Sequence, residues 1–207
     1  MSSTSDSEEP WDSRRGTLAD YAPDEAPYVP SLVMQCLDEV EFRYTEEESL
    51  YGKGGDIKKA KALVADYLKM KKMPYLNDID IKTITLILKQ FLASLSDTLI
   101  TDQVRNEFIE ASIINESGQR YRAFCDAMEQ LPEPNRDTLV HLLRHLRTVV
   151  EYGRSSIRNL AEVFGPIVVG GSSQYLTPSL LMLSREDQIQ VFESLLELED
   201  CDNDDDW

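Results

Sequence analysis

With 207 residues, 42% hydrophobic and 29% charged, the chain is long enough for one domain with a substantial core and has an ordinary globular composition. Its net charge of −17 argues against general affinity for nucleic acid or anionic membrane, which needs basic surface. No apolar run approaches the ~18–20 residues of a membrane span. The opening "MSSTSDSEEPWD" has neither the basic nor the apolar region of a secretory signal. A cytoplasmic location with no integral membrane association is expected.

In chain order, residues 1–26 are rich in Ser, Asp, Glu and Pro without apolar periodicity, and are expected to form a disordered acidic tail. From residue 27 nearly everything reads helical. "PSLVMQCLDEVEFRY" starts at a Pro-Ser cap and places Leu32, Val33, Cys36, Leu37 and Val40 on one face. "DIKKAKALVADYLKMKK" has Asp56 as N-cap, with Ile57, Ala60, Leu63, Val64, Tyr67 and Leu68 inward. "DIKTITLILKQFLASL" is apolar almost all round, which predicts the central, most buried helix. "TDQVRNEFIEASII" and "GQRYRAFCDAMEQL" read as amphipathic helices. "PEPNRDTLVHLLRHLRTVVEY" is a long helix starting near Pro134 or Asn135. "SIRNLAEVFGPIVV" is a short one, expected to stop at Gly165-Pro166. "REDQIQVFESLLELE" closes the domain, and residues 200–207 form an acidic tail. The pattern predicts one all-α bundle over residues 27–199.

Three features invite chemical readings. His141 and His145 stand at i, i+4, but no acidic or cysteine third ligand shares their face, so no metal site is expected. Cys36 and Cys125 read as reduced core thiols. "ESLYGKGGDIKK" is a glycine-lysine loop opening onto a helix. A phosphate-binding P-loop would need G-x-x-x-x-G-K-[ST] after a strand. Here Gly54 follows Lys53, Glu47 stands five residues before Gly52, and the preceding segment is helical. The loop therefore does not hold a nucleotide for this chain. It opens a basic island, residues 53–72, with seven lysines against two aspartates. That island reads either as a solvated face or as a docking surface for an acidic or phosphate-bearing partner.

The order of segments carries a resemblance. "PYVPSLVMQCLDEVE", "LY-x-x-x-G" at 50–55, "ILKQFLASL", "LPEPNRDTLVHLLRHL" and "NLAEVFGP" follow one another at separations that resemble the RhoGAP domain family from end to end. The resemblance implies a helical domain that docks on a Rho-family small GTPase, Rac, Cdc42 or Rho, and accelerates hydrolysis of the GTP held there. GTP and magnesium belong to the partner, and this chain needs no cofactor or catalytic machinery of its own. In such activation an arginine supplied in trans stabilises charge on the transferring phosphoryl group, worth about 10³–10⁵ in rate. Location at the spindle midzone or cell cortex, and a part in cytokinesis, rest on resemblance alone.

The family's finger arginine follows the tyrosine of a loop resembling G-[IL]-Y-R-x-S-G. In this sequence Tyr51 is followed by Gly52, then Lys53, Gly54 and Gly55. The finger position is therefore Gly52. Tyr51 is expected to anchor the loop by packing. Lys53 is a cation one residue along, but it lacks the bidentate fork of arginine. The family's L-K-x-F-L-R helix is matched at Lys89 and departed from at Ala93. Asn159 and Pro166 match interface positions of the family motif. Lys89, on an apolar helix, is expected to brace the loop or meet the partner, since an unpaired buried charge costs several kcal/mol. A weak or inactive pseudo-GAP is expected, with an active GAP using Lys53, or a scaffold that has abandoned GTPases, as alternatives.

Overall fold

A computed structural model describes residues 16–43, 50–170 and 184–198. These residues form a short 3₁₀ turn, η1 (Leu18–Asp20), and eight α-helices. The helices are α1 (Ser31–Arg43), α2 (Ile57–Met70), α3 (Ile81–Ala93), α4 (Arg105–Ser112), α5 (Ser117–Glu129), α6 (Glu133–Glu151), α7 (Ile157–Val168) and α8 (Arg185–Glu197). No strand occurs among the described residues.

The apolar periodicity positions the helices. The five residues expected on the inner face of α1 are the five it buries. The Pro30 carbonyl accepts from Val33 and Met34 and starts that helix. In α3 eight of thirteen residues are buried, and it touches α1, α2 and α7. It is the central helix that its composition predicts. Phe91, Phe108, Phe124, Phe164 and Phe192 are the largest fully enclosed side chains, each contributing roughly 1.5–3 kcal/mol by burial. Cys36 is buried and Cys125 half-buried, both as free thiols. Burial pushes the Cys36 thiol far above its ordinary range, so it is a small core hydrophobe.

Three expectations need correction. The acidic tail does not run unstructured to residue 26. Thr17 and Asp20 form a reciprocal capping box, Leu18 is buried, and the Gly16 carbonyl accepts from the Ser96 amide at 3.1 Å. Tyr21 meets Phe91 edge-on at 5.6 Å. Polar composition hid two apolar anchors. Residues 1–15 and 199–207, with most of both expected tails, lie outside the described residues.

Ile57 faces solvent, because the first turn of α2 overhangs the core and Ala60 is its first buried residue.

Helix α7 does not stop at Gly165-Pro166 but runs through both to Val168. A proline lacks the N–H that would bond the carbonyl four residues back, here that of Glu162. Arg185, opening α8, donates from Nη2 to that carbonyl at 3.1 Å. Gly165 lets α7 approach α8 closely: a Cβ there would lie 2.7 Å from the Gln188 carbonyl oxygen. A partner helix thus removes the reason to stop.

Candidate functional site

The glycine-lysine loop joins α1 to α2, and residues 44–49 before it lie outside the described residues. From Leu50 onward it is held at both ends and exposed between. Leu50 and Tyr51 are buried, while Gly52, Lys53, Gly54 and Gly55 are exposed.

Tyr51 fixes the entry. Its ring packs edge-on to Phe164 of α7, with centroids 5.0 Å apart. Its hydroxyl lies 2.7 Å from His145 Nε2 of α6. His145 Nδ1 in turn lies 2.8 Å from Glu41 Oε1 of α1. A carboxylate accepts only, so Nδ1 carries the hydrogen and donates to Glu41. In the neutral ring Nε2 is then the acceptor for the Tyr51 O–H. The Tyr51 hydroxyl and both His145 ring nitrogens, which are buried, thus have partners, as buried polar groups require, while Glu41 is exposed at the outer end of the relay. The hydrogen bond from His145 holds the Glu41 carboxyl below its ordinary pKa, against the opposing effect of partial burial. Burial pushes the Tyr51 hydroxyl well above its usual value, with Cys36 and Glu41 adding to the shift.

Lys89 of α3 braces the same point from the other side. Its Nζ lies 3.4 Å from the Tyr51 carbonyl oxygen, a long hydrogen bond on the residue immediately before Gly52. Burial lowers the Lys89 pKa. Among the described residues this half-buried cation has no carboxylate partner.

Asp56 fixes the exit. Its carboxylate accepts from the Lys58 and Lys59 amides, each at 3.0 Å, and its own amide donates to Thr83 Oγ1 at 2.7 Å. Gly54 and Gly55 have φ of +132° and +82°. A Cβ at Gly55 would sit 2.7 Å from the Thr83 amide nitrogen. The route over α3 therefore demands the glycine pair, which sequence alone reads as looseness.

The other expected site residues are placed as follows. Asn159 lies in the first turn of α7 with its side chain exposed; its amide donates to Ser156 Oγ at 3.2 Å. Pro166 is half-buried further along α7, and Phe164, which meets Tyr51, lies between them. Ala93, the last residue of α3, is exposed. The structure thus joins Tyr51, Lys89 and α7 around the loop, while Gly52 and Lys53 project from it. Sequence reasoning considered His145 only as a metal ligand and passed over Glu41. No cluster of three metal-ligating side chains occurs among the described residues, and His141 Nδ1 lies 2.9 Å from the Asp137 carbonyl. No described helix is long and apolar enough to cross a membrane.

The comparisons with known proteins agree with this all-helical bundle. The RhoGAP domain family matches residues 30–173, and the chain belongs to that family. It is 35% identical over 186 residues to mouse Rac GTPase-activating protein 1, covering 88% of this chain and 30% of the relative. Human Rho GTPase-activating protein 12 is 35% identical over 73% of this chain and 18% of its own length. The chain thus spans under a third of these relatives. Among solved structures, human Rho GTPase activating protein 15 superposes with a TM-score of 0.71 at 26% identity, covering 81% of each chain. The BH domain of GRAF, the GTPase regulator associated with focal adhesion kinase, superposes at 0.67 and 27% identity, covering 81% of this chain and 90% of that one.

Proposed function

We propose that this chain binds a Rho-family small GTPase, Rac, Cdc42 or Rho, through the face that carries the loop, and stimulates GTP hydrolysis weakly or not at all. The observation that carries this reading is the contrast within the loop. Its anchors are complete, yet the residue presented between them is Gly52, which has no side chain to place beside a partner's phosphates. Lys89, Asn159 and Pro166 are proposed as contributors to binding. Without a guanidinium at the tip, the rate enhancement of about 10³–10⁵ that an arginine finger supplies is lost. The chain would then occupy a GTPase and compete with effectors or activators. GTP and magnesium would belong to the partner.

Lys53 supports a second reading, because it is exposed and adjacent to Gly52. As a flexible point charge without a fork it supplies less stabilisation than arginine. Single-turnover hydrolysis by GTP-loaded Rac, Cdc42 and Rho, alongside binding to the same proteins, separates the readings. Binding without acceleration is the expected result. Acceleration above ~10³-fold that disappears in Lys53→Ala would establish an active lysine-based GAP instead. Absence of binding to every GTP-loaded member would leave a scaffold that does not engage GTPases.

A further inference from the structure

The cations of this chain are segregated by type. All nine lysines lie between residues 53 and 89, and all twelve arginines lie outside residues 44–104. The two sets do different work. Arginines tie the fold together. Arg158 of α7 pairs with Glu162, Glu186 and Glu193. Arg43 pairs with Glu39 and Arg105 with Asp102, and Arg105 also donates from Nε to the Val169 carbonyl at 2.6 Å. The lysines of α2 form no ion pair among the described residues. Lys58 and Lys69 project from the face opposite the buried Ala60, Val64 and Tyr67, with Ala62 and Ala65 between them, and Lys61 and Asp66 are exposed on its two flanks. Lys72 is exposed just past the helix end. This row is about 20 Å long at 1.5 Å per residue.

Local stability does not account for the row. Lys58 and Lys59 crowd the positive end of the helix dipole, where cations are disfavoured, and the acid there is the N-cap Asp56, whose carboxylate bonds the Lys58 and Lys59 amides, not their ammonium groups. Residues 53–89 carry nine lysines against four aspartates, while the rest of the chain has twelve arginines against thirty-four acids. Along the sequence, charge is therefore segregated, five positive within residues 53–89 and twenty-two negative in the rest. Two large apolar side chains stand exposed at the C-terminal end of the row, Met70 at 58% and Tyr75 at 69%.

We propose that the outer face of α2 docks on an anionic bilayer, such as one containing phosphatidylserine. Lysine suits a diffuse negative plane better than a shaped carboxylate pocket, because it is a hydrated point charge that needs no bidentate match. Lys58 and Lys69, with alanines between them and Lys61 beside them, present charge without bulky side chains that would hold it off the surface. Polybasic segments gain attraction residue by residue near such a membrane, within about a Debye length. The acidic remainder of the chain, repelled by the same plane, turns this face toward it. Met70 and Tyr75 then enter the headgroup zone, where a thioether stem and an amphipathic ring are favoured. The glycine-lysine loop, continuous with the start of α2, would be held near the membrane.

The test sediments the full chain with vesicles of phosphatidylcholine alone or with about 30% phosphatidylserine, a charge density at which polybasic segments bind. We expect at least tenfold greater binding to the anionic vesicles at about 0.1 M salt, falling steeply by about 0.5 M as charges are screened. The K58E/K61E/K69E/K72E variant should lose that preference while its thermal midpoint stays within a few degrees. M70S/Y75S should weaken binding severalfold without altering the salt slope. Equal binding to both vesicle types, or a charge-reversed variant that binds like the wild type, overturns the proposal. So does a wild type that ignores vesicles while charge reversal abolishes binding to a GTPase in solution, which would assign the row to a protein partner. The vesicle measurements contain no GTPase, so their result does not depend on the proposed function.

Discussion

The two halves of the glycine-lysine loop differ sharply. The anchor is over-determined: Tyr51 is buried, stacked edge-on against Phe164, bonded through His145 to Glu41, and braced at its carbonyl by Lys89. The tip is bare, an exposed glycine followed by an exposed lysine. Helices α1, α3, α6 and α7 converge on the residue before Gly52, and none of their contacts requires a side chain at Gly52 itself. Presenting a residue and being that residue are separable properties of this fold. A loop can hold its position whatever group stands at its tip.

Restoring the group is the strongest way to break that contrast. Gly52→Arg should raise stimulation of a bound Rho-family GTPase by at least ~10²-fold over the wild-type chain, part or all of the ~10³–10⁵ that an arginine finger supplies. Single-turnover hydrolysis reads it directly. A flat response would mean that the docking face, including Ala93, has diverged as well. On the anchor side, Tyr51→Ala should cost about 3–5 kcal/mol in denaturant unfolding, by analogy with large aromatic truncations. Tyr51→Phe should cost only about 1–2 kcal/mol, the penalty for leaving His145 Nε2 unpaired. Equal effects from the two would show that the hydroxyl relay, not ring packing, holds the loop.

Glu41 adds a pH signature. Its folded pKa lies below the ordinary value of 4.5, chiefly because of the hydrogen bond from His145. A depressed carboxyl stabilises the fold above its unfolded pKa, and that contribution fades as pH falls through the folded one. Glu41→Gln should therefore be less stable than wild type by about 1 kcal/mol at neutral pH, a figure kept small because the carboxylate is partly solvated. The gap between the two unfolding curves should begin to close as pH falls below the ordinary carboxyl value of 4.5 and vanish once pH lies below the lowered folded pKa, where wild-type Glu41 is protonated in both states. A constant gap down to pH 2 would remove the charge from the account.

The smallest effect is expected at Lys89. Burial lowers its pKa, so its charged form is disfavoured in the fold. That penalty is fully present at neutral pH and disappears as pH rises through the window between the lowered folded and the ordinary unfolded pKa. Lys89→Met should leave the thermal midpoint within a few degrees of wild type, losing one long hydrogen bond while removing the desolvation penalty. If Lys89 contributes to the GTPase interface, the same variant should weaken GTPase binding by tenfold or more. Stability loss without binding loss would restrict Lys89 to the loop.

Much of this could be read from the chain. The inner face of α1, the centrality of α3 and the Asp56 cap are local signals of period and cap chemistry, and all three hold. The loop's place between Tyr51 and Asp56 follows from the same signals. What escaped depends on residues far apart in sequence. His145 meets partners 94 and 104 residues away, and its i, i+4 spacing to His141, which lacks a third metal ligand, gives no sign of a tyrosine arriving from another loop. Pro166 looked like a terminator because the Arg185 side chain that satisfies the freed Glu162 carbonyl comes from the next helix. Leu18 and Tyr21 were lost in a polar stretch because two apolar side chains make no period.

The segregation of lysine from arginine has a practical consequence. Amine-reactive reagents modify lysine and leave arginine untouched, and eight of the nine lysines lie on the loop, on α2 and its C-terminal end, or at the start of α3. Dyes, cross-linkers and covalent sensor surfaces that couple through amines would therefore attach beside Gly52 and fix the molecule with its loop turned toward the support. Interactions should be measured with the chain immobilised through another group, and amine labelling used instead as a footprint, in which a protected lysine reports directly that the loop-bearing side is covered.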